Sequence, residues 1–206
     1  MALKTLVKIS NVTNLSDARY CAGMGVDMLG FSMDADSPEY VDSAKCAEIR
    51  VWVAGVLIVG ETTSTDPVRI EQLIDAYHPD LLQIDEGAIV PYLSTLGKPI
   101  ILRVNLSQLT LDQLGTLFLT GSAGAEYVLL ESNGLIHLDD DLRLTLQRLA
   151  SRYPVLLGTG ISTDNVHDLL ATLPVRGIAL SGGSEDRPGY KEFGELMDIL
   201  EAIEVE

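Results

Sequence analysis

Short apolar runs rich in branched side chains alternate along this chain with longer segments in which apolar residues recur at helical spacing. The short runs predict eight β-strands, over residues 6–10, 28–32, 53–59, 81–85, 100–104, 127–131, 155–158 and 178–181. Regular alternation of strands and helices is typical of βαβ units that build a parallel sheet. The pattern therefore predicts an α/β protein with a parallel sheet.

The segments between these runs predict helices over residues 14–23, 43–50, 67–77, 138–152, 163–173 and 190–203. Asn14, with Asp17 three residues later, resembles a capping box, and Pro67 suits a first helical turn. The segment over residues 86–98 is a weaker helix, because Gly87 and Pro91 interrupt it.

Two architectures share this alternation, an open doubly wound sheet and a closed barrel. The open sheet usually has fewer strands and a glycine fingerprint after the first one. Here the turn after the first strand, residues 10–13, has no glycine, and the glycines gather after the seventh and eighth strands. The distribution favours a (β/α)8 TIM barrel, formed as a single domain by residues 1–206.

The charge of the chain limits its partners. Fourteen basic and thirty acidic residues give a formal charge of −16, which repels nucleic acids and anionic membranes. No apolar run approaches the roughly 18 to 20 residues of a membrane span. Residues 1–10 lack the apolar centre of a secretory signal. We expect a cytoplasmic protein that binds no nucleic acid and no membrane, and the oligomeric state stays open.

The cysteines suggest no special chemistry. Cys21 and Cys46 are far apart and have no companion histidines at metal-ligand spacing, so neither a disulfide framework nor a zinc site is indicated. We expect two free thiols, no metal and no cofactor.

Two glycine groups follow the seventh and eighth predicted strands, and the first precedes helix-capping residues. In a barrel these two loops are neighbours, and they commonly bind phosphate through backbone N–H groups. Backbone dipoles attract an anion even on an acidic protein. The pattern predicts a small phosphorylated metabolite as the ligand, held by Gly158, Thr159, Gly160, Ser181, Gly182 and Gly183.

Motifs near both ends of the chain carry a resemblance to a known family. They are Val7-Lys8-Ile9 with Thr13-Asn14 and Asp17-Ala18, then Gly25-Val26-Asp27, Leu29-Gly30-Phe31 and Ser37-Pro38-Glu39-Tyr40-Val41, and finally Ser181-Gly182-Gly183 with Glu185, Pro188-Gly189 and Lys191. In these motifs and in length the chain resembles phosphoribosylanthranilate isomerase, a (β/α)8 enzyme of tryptophan synthesis.

The resemblance implies an Amadori rearrangement, in which an acid opens the sugar ring and a base removes a proton from the carbon beside the imine. Three positions depart from the family pattern. Ser10 stands where the family has its basic cysteine, Glu131 replaces the acidic aspartate, and Glu39 replaces an arginine that faces the anthranilate carboxylate. A serine is too weak a base without an activating neighbour, and Glu39 repels a carboxylate. Activity on phosphoribosylanthranilate is therefore expected to be very low or absent.

Replacement groups are available at the ends of the fourth, fifth and sixth predicted strands, where barrels place catalytic side chains. They are Asp85, Arg103 and Glu131. Asp85 and Glu131 would form a base and acid pair if their environments separated their pKa values, and Arg103 would bind substrate.

Three functions stay open at this point. The first is an isomerase of the phosphoribosylanthranilate type, impaired or altered in substrate. The second is an aldose-ketose isomerase or related enzyme acting on another sugar phosphate through Asp85 and Glu131. The third is a catalytically silent barrel that senses a phosphorylated metabolite or a partner protein.

Overall fold

The computed structural model describes residues 2–134, 136, 138–182, 185–187, 190–191 and 194–205. Eight parallel strands form a closed barrel in chain order. The barrel closes where β8 pairs with β1, with Leu6 opposite Gly177 and Ser10 opposite Ser181. The strands are β1 Leu6–Ser10, β2 Met28–Ser32, β3 Leu57–Glu61, β4 Leu81–Ile84, β5 Ile100–Asn105, β6 Tyr127–Glu131, β7 Val155–Leu157 and β8 Gly177–Ser181. The predicted (β/α)8 TIM barrel is confirmed, and the open sheet is excluded.

A helix follows each barrel strand. The helices are α1 Leu15–Gly23, α2 Ser43–Trp52, α3 Pro67–Tyr77, α4 Val90–Leu93, α5 Leu111–Thr120, α6 Asp140–Ala150, α7 Val166–Thr172 and α8 Gly194–Ala202. Asn14 caps α1 by accepting a hydrogen bond from the Asp17 backbone N–H at 2.9 Å, and Pro67 lies in the first turn of α3. The interrupted segment forms only the single turn α4, between 3-10 turns at Gly87–Ile89 and Ser94–Leu96.

Several predicted boundaries were wrong. The third strand begins at Leu57 rather than at residue 53, because α2 continues to Trp52 and Val53 caps it. The last helix begins at Gly194 rather than at residue 190, because Tyr190–Lys191 forms strand β10. This strand pairs with β9, Glu185–Arg187, in an antiparallel ribbon.

Two apolar layers hold the barrel together. The larger layer lies between the strands and the surrounding helices. The smaller fills the interior of the barrel near the amino ends of the strands, and it consists of Met28, Val59, Leu81, Ile101, Leu129, Leu156 and Ala179. This inner layer fills the barrel interior below the carboxyl ends of the strands.

Candidate functional site

A polar layer lies directly above the inner apolar layer. Side chains two positions apart in a strand point to the same face. The residue two positions beyond each inner apolar residue therefore also faces the barrel interior. From these positions come Glu61, Gln83, Arg103, Glu131, Gly158 and Ser181, and β1 contributes Lys8 and Ser10. The candidate site is thus built at the carboxyl ends of the strands, the face where barrel enzymes carry their active sites.

A buried ion pair occupies one side of this layer. Lys8 has no exposed surface, and its Nζ donates a hydrogen bond to Glu61 Oε1 and another, of 2.5 Å, to Ser10 Oγ. Gly30 makes room for the pair, since a Cβ on this residue would lie 2.0 Å from Glu61 Oε1. The neighbour of Ser10 is thus a cation that donates to its hydroxyl, and a donor of this kind does not make Ser10 a base.

An arginine joins two carboxylates on the other side. Arg103 Nε and Nη2 donate to Asp85 Oδ1 and Oδ2 at 2.7 and 2.6 Å, a bidentate pair. Arg103 Nη1 also lies 3.9 Å from Glu131 Oε2. The structure therefore brings the three predicted strand-end residues together. Both oxygens of Asp85 are already engaged, which leaves it poorly placed to accept a substrate proton.

Glu131 has the electrostatic character of an acid. Burial raises the pKa of its carboxyl group, and the carboxylates of Glu61 and Asp85 raise it further, while Lys8 and Arg103 oppose this shift. Gly158 leaves the space that this side chain fills, since a Cβ there would lie 2.7 Å from Glu131 Cγ. A raised pKa favours the protonated form of this carboxyl group, the form that a general acid requires.

The loops that follow β7 and β8 border a common cavity of ≈ 320 Å³. We call it the β7–β8 cleft. Gly158, Thr159, Gly160 and Ser181 lie in its lining, together with the acidic Glu195 of α8. Gly183 lies outside the described residues. The structure thus places residues 158–160 beside Ser181, the residue that precedes the glycines of the second group.

The backbone amides of the cleft differ in their availability. The Gly158 N–H donates to Leu130 O at 2.8 Å, and the Gly182 N–H donates to Ser10 O at 3.1 Å, so both continue the barrel ladder. Among the described residues, no acceptor takes a hydrogen bond from the amides of Thr159, Gly160 or Ile161. Three consecutive amides of the β7–α7 loop are therefore available to a ligand.

The β7–α7 loop is held in shape by its own hydrogen bonds. Asn165 Nδ2 donates to Gly160 O at 2.8 Å, and Asn165 Oδ1 accepts from the Ser162 N–H at 2.8 Å. Gly160 has a φ of +69°, and a Cβ there would lie 3.0 Å from the Leu138 side chain. Because the loop is fixed without a ligand, its amides are oriented before a ligand arrives.

Glu39 lies at a second cavity, above β2, β3 and β4, with a volume of ≈ 300 Å³. We call it the acidic pocket, because its lining includes Asp34, Asp36, Glu39, Glu61 and Asp85. Asp34 is held by Thr62 Oγ1, which donates to it at 2.6 Å, and by the N–H and hydroxyl of Thr63. Arg103 also lines the pocket, on the side of its Asp85 partner.

Sequence reasoning missed Lys8, Glu61, Gln83 and Ile161 as site residues. For the first three a signal exists, since each is a polar residue at an inward position of an otherwise apolar strand. Ile161 carries no such signal, because it contributes only its backbone and its side chain is typical of a core.

Two further observations bear on cofactors and membranes. In the described part of the chain, no three His, Cys, Asp or Glu side chains are grouped so as to hold a metal ion. Within residues 2–205, excluding those not described, no helix combines the length and apolarity needed to cross a bilayer.

Fold and site together define a (β/α)8 barrel with a polar, partly buried carboxyl-face site. No family model matches the sequence. A phosphoribosylanthranilate isomerase of Nitrobacter hamburgensis is 28% identical over 214 residues, covering 97% of this chain and 93% of that protein. The structure of phosphoribosylanthranilate isomerase from Thermotoga maritima matches with a TM-score of 0.80 at 20% identity, covering 97% of this chain and 98% of the other.

A further solved structure, a phosphoribosylanthranilate isomerase in complex with reduced 1-(o-carboxyphenylamino)-1-deoxyribulose 5-phosphate, matches with a TM-score of 0.78 at 19% identity and covers 97% of this chain and 98% of its own. The likeness in sequence and in fold extends over nearly the whole of both proteins. The chain is thus similar over nearly its whole length to phosphoribosylanthranilate isomerases, the family whose motifs it resembles.

Proposed function

We propose that this barrel binds a phosphorylated sugar-type metabolite other than phosphoribosylanthranilate and transfers a proton to it from Glu131. The phosphate lies in the β7–β8 cleft and the sugar extends over the polar layer. The observation that carries the proposal is the position of Gly158, which lines the cleft and also faces Glu131. A phosphate site and a carboxyl group with a raised pKa thus adjoin each other.

In this proposal, backbone N–H groups bind the phosphate group of the ligand. The amides of Thr159, Gly160 and Ile161, which donate to no acceptor among the described residues, can donate to phosphate oxygens, while the acidic surface and Glu195 disfavour anions in general. A relative solved with a deoxyribulose 5-phosphate derivative supports a ligand of this class. Gly182 then acts by shaping the loop, since its own amide is taken by Ser10.

The reaction that we propose begins with proton donation by Glu131. Glu131 would donate its proton to a ring or carbonyl oxygen of the sugar, the step that opens an aldose-ketose isomerisation. Ser10 accepts a hydrogen bond from Lys8, and Asp85 is paired with Arg103, so neither is poised as the base of the reaction.

That same pairing favours a second candidate, a catalytically silent barrel that binds the same class of metabolite. In this case the two ion pairs serve to fix the mouth of the barrel, and ligand binding occurs without turnover. The two candidates differ in chemistry but share the β7–β8 cleft as the phosphate site.

Calorimetry with ribose 5-phosphate and with ribose tests the shared proposal. We expect the phosphate to bind and the unphosphorylated sugar to bind far more weakly. Thr159→Glu places a carboxylate in the cleft and should weaken binding at least about tenfold, because a like charge then faces the ligand. Thr116→Glu adds the same charge on the exposed face of α5 and should leave affinity unchanged.

Equal binding of ribose and ribose 5-phosphate would show that no phosphate site exists. Unchanged affinity in Thr159→Glu would remove the β7–β8 cleft from the site.

A further inference from the structure

The acidic pocket carries more negative charge than the surrounding cations compensate. Glu61 is paired with Lys8 and Asp85 with Arg103, but no ion pair among the described residues includes Asp34, Asp36 or Glu39.

Among the described residues, the two half-buried carboxylates of this set have neutral hydrogen-bond partners. Asp34 accepts from the hydroxyls of Thr62 and Thr63 and from a backbone amide, and Glu39 accepts from the Ser37 hydroxyl at 3.2 Å. Three carboxylates therefore concentrate negative potential at one side of the barrel mouth, where a cation is attracted and an anion is repelled.

A buried amide provides an independent observation at the same place. Gln83 lies on β4 two residues after Leu81 and therefore faces the barrel interior, as Leu81 does. It is only 4% exposed and lines the acidic pocket. Its Oε1 accepts no hydrogen bond from any residue in the described part of the chain. The ionised carboxylates of Glu61 and Asp85, which line the same pocket, are acceptors only and cannot satisfy it.

An unsatisfied buried acceptor lowers the stability of the folded chain. A ligand that brings N–H donors into the pocket would satisfy the Gln83 oxygen and so explain its position. An ammonium group carries three donors, and it can bond to the Gln83 oxygen and to carboxylates at the same time. A substrate carboxylate has no donor and would be repelled.

We propose that the acidic pocket binds a protonated amino group of the ligand, so that the metabolite is a phosphorylated amino sugar or a related aminated sugar phosphate. The inference rests on the proposed function, because the β7–β8 cleft holds the phosphate end of the same molecule. The two subsites lie on opposite sides of the barrel mouth, over β2–β4 and over β7–β8.

Two probes that differ in a single group test this assignment. Glucosamine 6-phosphate and glucose 6-phosphate differ only in an ammonium in place of a hydroxyl at neutral pH. Calorimetry should show that the wild-type protein binds the amino sugar at least about tenfold more tightly, because its hydrogen bonds to carboxylates are charge-assisted.

Two variants locate the preference. Gln83→Met and Glu39→Gln should each weaken binding of glucosamine 6-phosphate more than binding of glucose 6-phosphate, so that the ratio of the two affinities falls several-fold. Gln147→Met and Glu48→Gln make the same changes on exposed positions of α6 and α2 and should keep the wild-type ratio. Urea denaturation should find Gln83→Met at least as stable as the wild type, because the orphaned acceptor is removed.

If the two sugar phosphates do not differ in affinity, whether both bind or neither does, the ammonium assignment is overturned. The same result follows if the preference persists in both pocket variants. Inorganic phosphate, titrated in the same series, separates this failure from failure of the proposed function, which predicts that phosphate binds the β7–β8 cleft in every one of these variants.

Discussion

Lys8 and Glu61 form an ion pair inside the barrel, between the first and third strands, with the lysine side chain wholly buried and the glutamate side chain 9% exposed. Removing one partner of a buried ion pair is strongly destabilising, because it leaves an uncompensated charge in the interior of the protein. The pair therefore fixes the position of Ser10, to which Lys8 also donates.

Glu61→Gln should destabilise the protein by about 3 to 5 kcal/mol, since it keeps the shape of the side chain and removes the charge that compensates Lys8. Urea denaturation measures the loss. The matched change Glu48→Gln on the exposed face of α2 should alter stability by less than about 0.5 kcal/mol. If the two variants were equally stable, the charge of Lys8 would have to be compensated elsewhere.

Gly158→Ala should reduce both stability and ligand affinity, because the new Cβ would lie 2.7 Å from Glu131 Cγ and 3.0 Å from Leu129 Cδ1. Gly134→Ala is the control, since a Cβ at that position meets nothing within 4 Å. The double variant Gly158→Ala with Glu131→Ala should lose less stability than the sum of the two single changes, because the clash with Glu131 is then absent. Additive losses would show that Gly158 does not position Glu131.

Glu131→Gln should stabilise the protein relative to wild type in a manner that depends on pH. Burial raises the pKa of Glu131 in the folded state, so the folded chain holds this proton more tightly than the unfolded chain does. The stability that this proton contributes is complete below the unfolded pKa and is lost as the pH rises through the folded pKa.

The difference in unfolding free energy between Glu131→Gln and wild type should therefore shift in favour of the variant as the pH rises through that window. Urea denaturation at a series of pH values measures it, with Glu48→Gln as the exposed control. A difference that moved in favour of the wild type with rising pH would mean that Arg103 and Lys8 outweigh burial.

Turnover of phosphoribosylanthranilate should be very low or absent in the wild-type protein, since loss of a general base typically costs about 10²- to 10⁴-fold. The triple change Ser10→Cys, Glu39→Arg and Glu131→Asp should raise turnover more than any single change, because these groups serve one transition state. Lys8 lies where it would favour the thiolate of the new cysteine.

Loss of substrate fluorescence with purified protein measures this turnover, and rescue of a tryptophan auxotroph that lacks the isomerase provides a check in cells. Turnover typical of the family by the unmodified protein would show that the three substitutions do not impair the site and that a residue other than Ser10 supplies the base.

The barrel could be predicted from the sequence because its strands repeat a strong local pattern. The boundaries of β1, β2 and β6 were correct to the residue, and a polar residue, Thr5, Asp27 or Glu126, directly precedes each of these runs. The start of β3 was wrong because Val53 suits a strand by its side chain but is needed as the cap of α2. The strand propensity of Val53 alone does not reveal that the end of α2 competes with β3 for this residue.

The candidate site was only partly predictable. Strand ends identify Asp85, Arg103 and Glu131, but the partners of Asp85 and Lys8 lie on other strands, at distances that no sequence pattern specifies. Nothing in the sequence distinguishes the amides of Gly160 and Gly182, yet the Gly182 N–H donates to Ser10 O across the β8–β1 seam, while the Gly160 N–H has no acceptor among the residues that the structure describes. The phosphate-binding role of the glycine groups remains a prediction.

The most direct test of the account is a titration of ¹⁵N-labelled protein with ribose 5-phosphate, followed by amide chemical shifts. The account predicts saturable shifts that are largest at Thr159, Gly160 and Ile161, whose N–H groups line the cleft and have no acceptor in the described part of the chain. Shifts that did not saturate, or that were largest at residues outside the β7–β8 cleft, would contradict it.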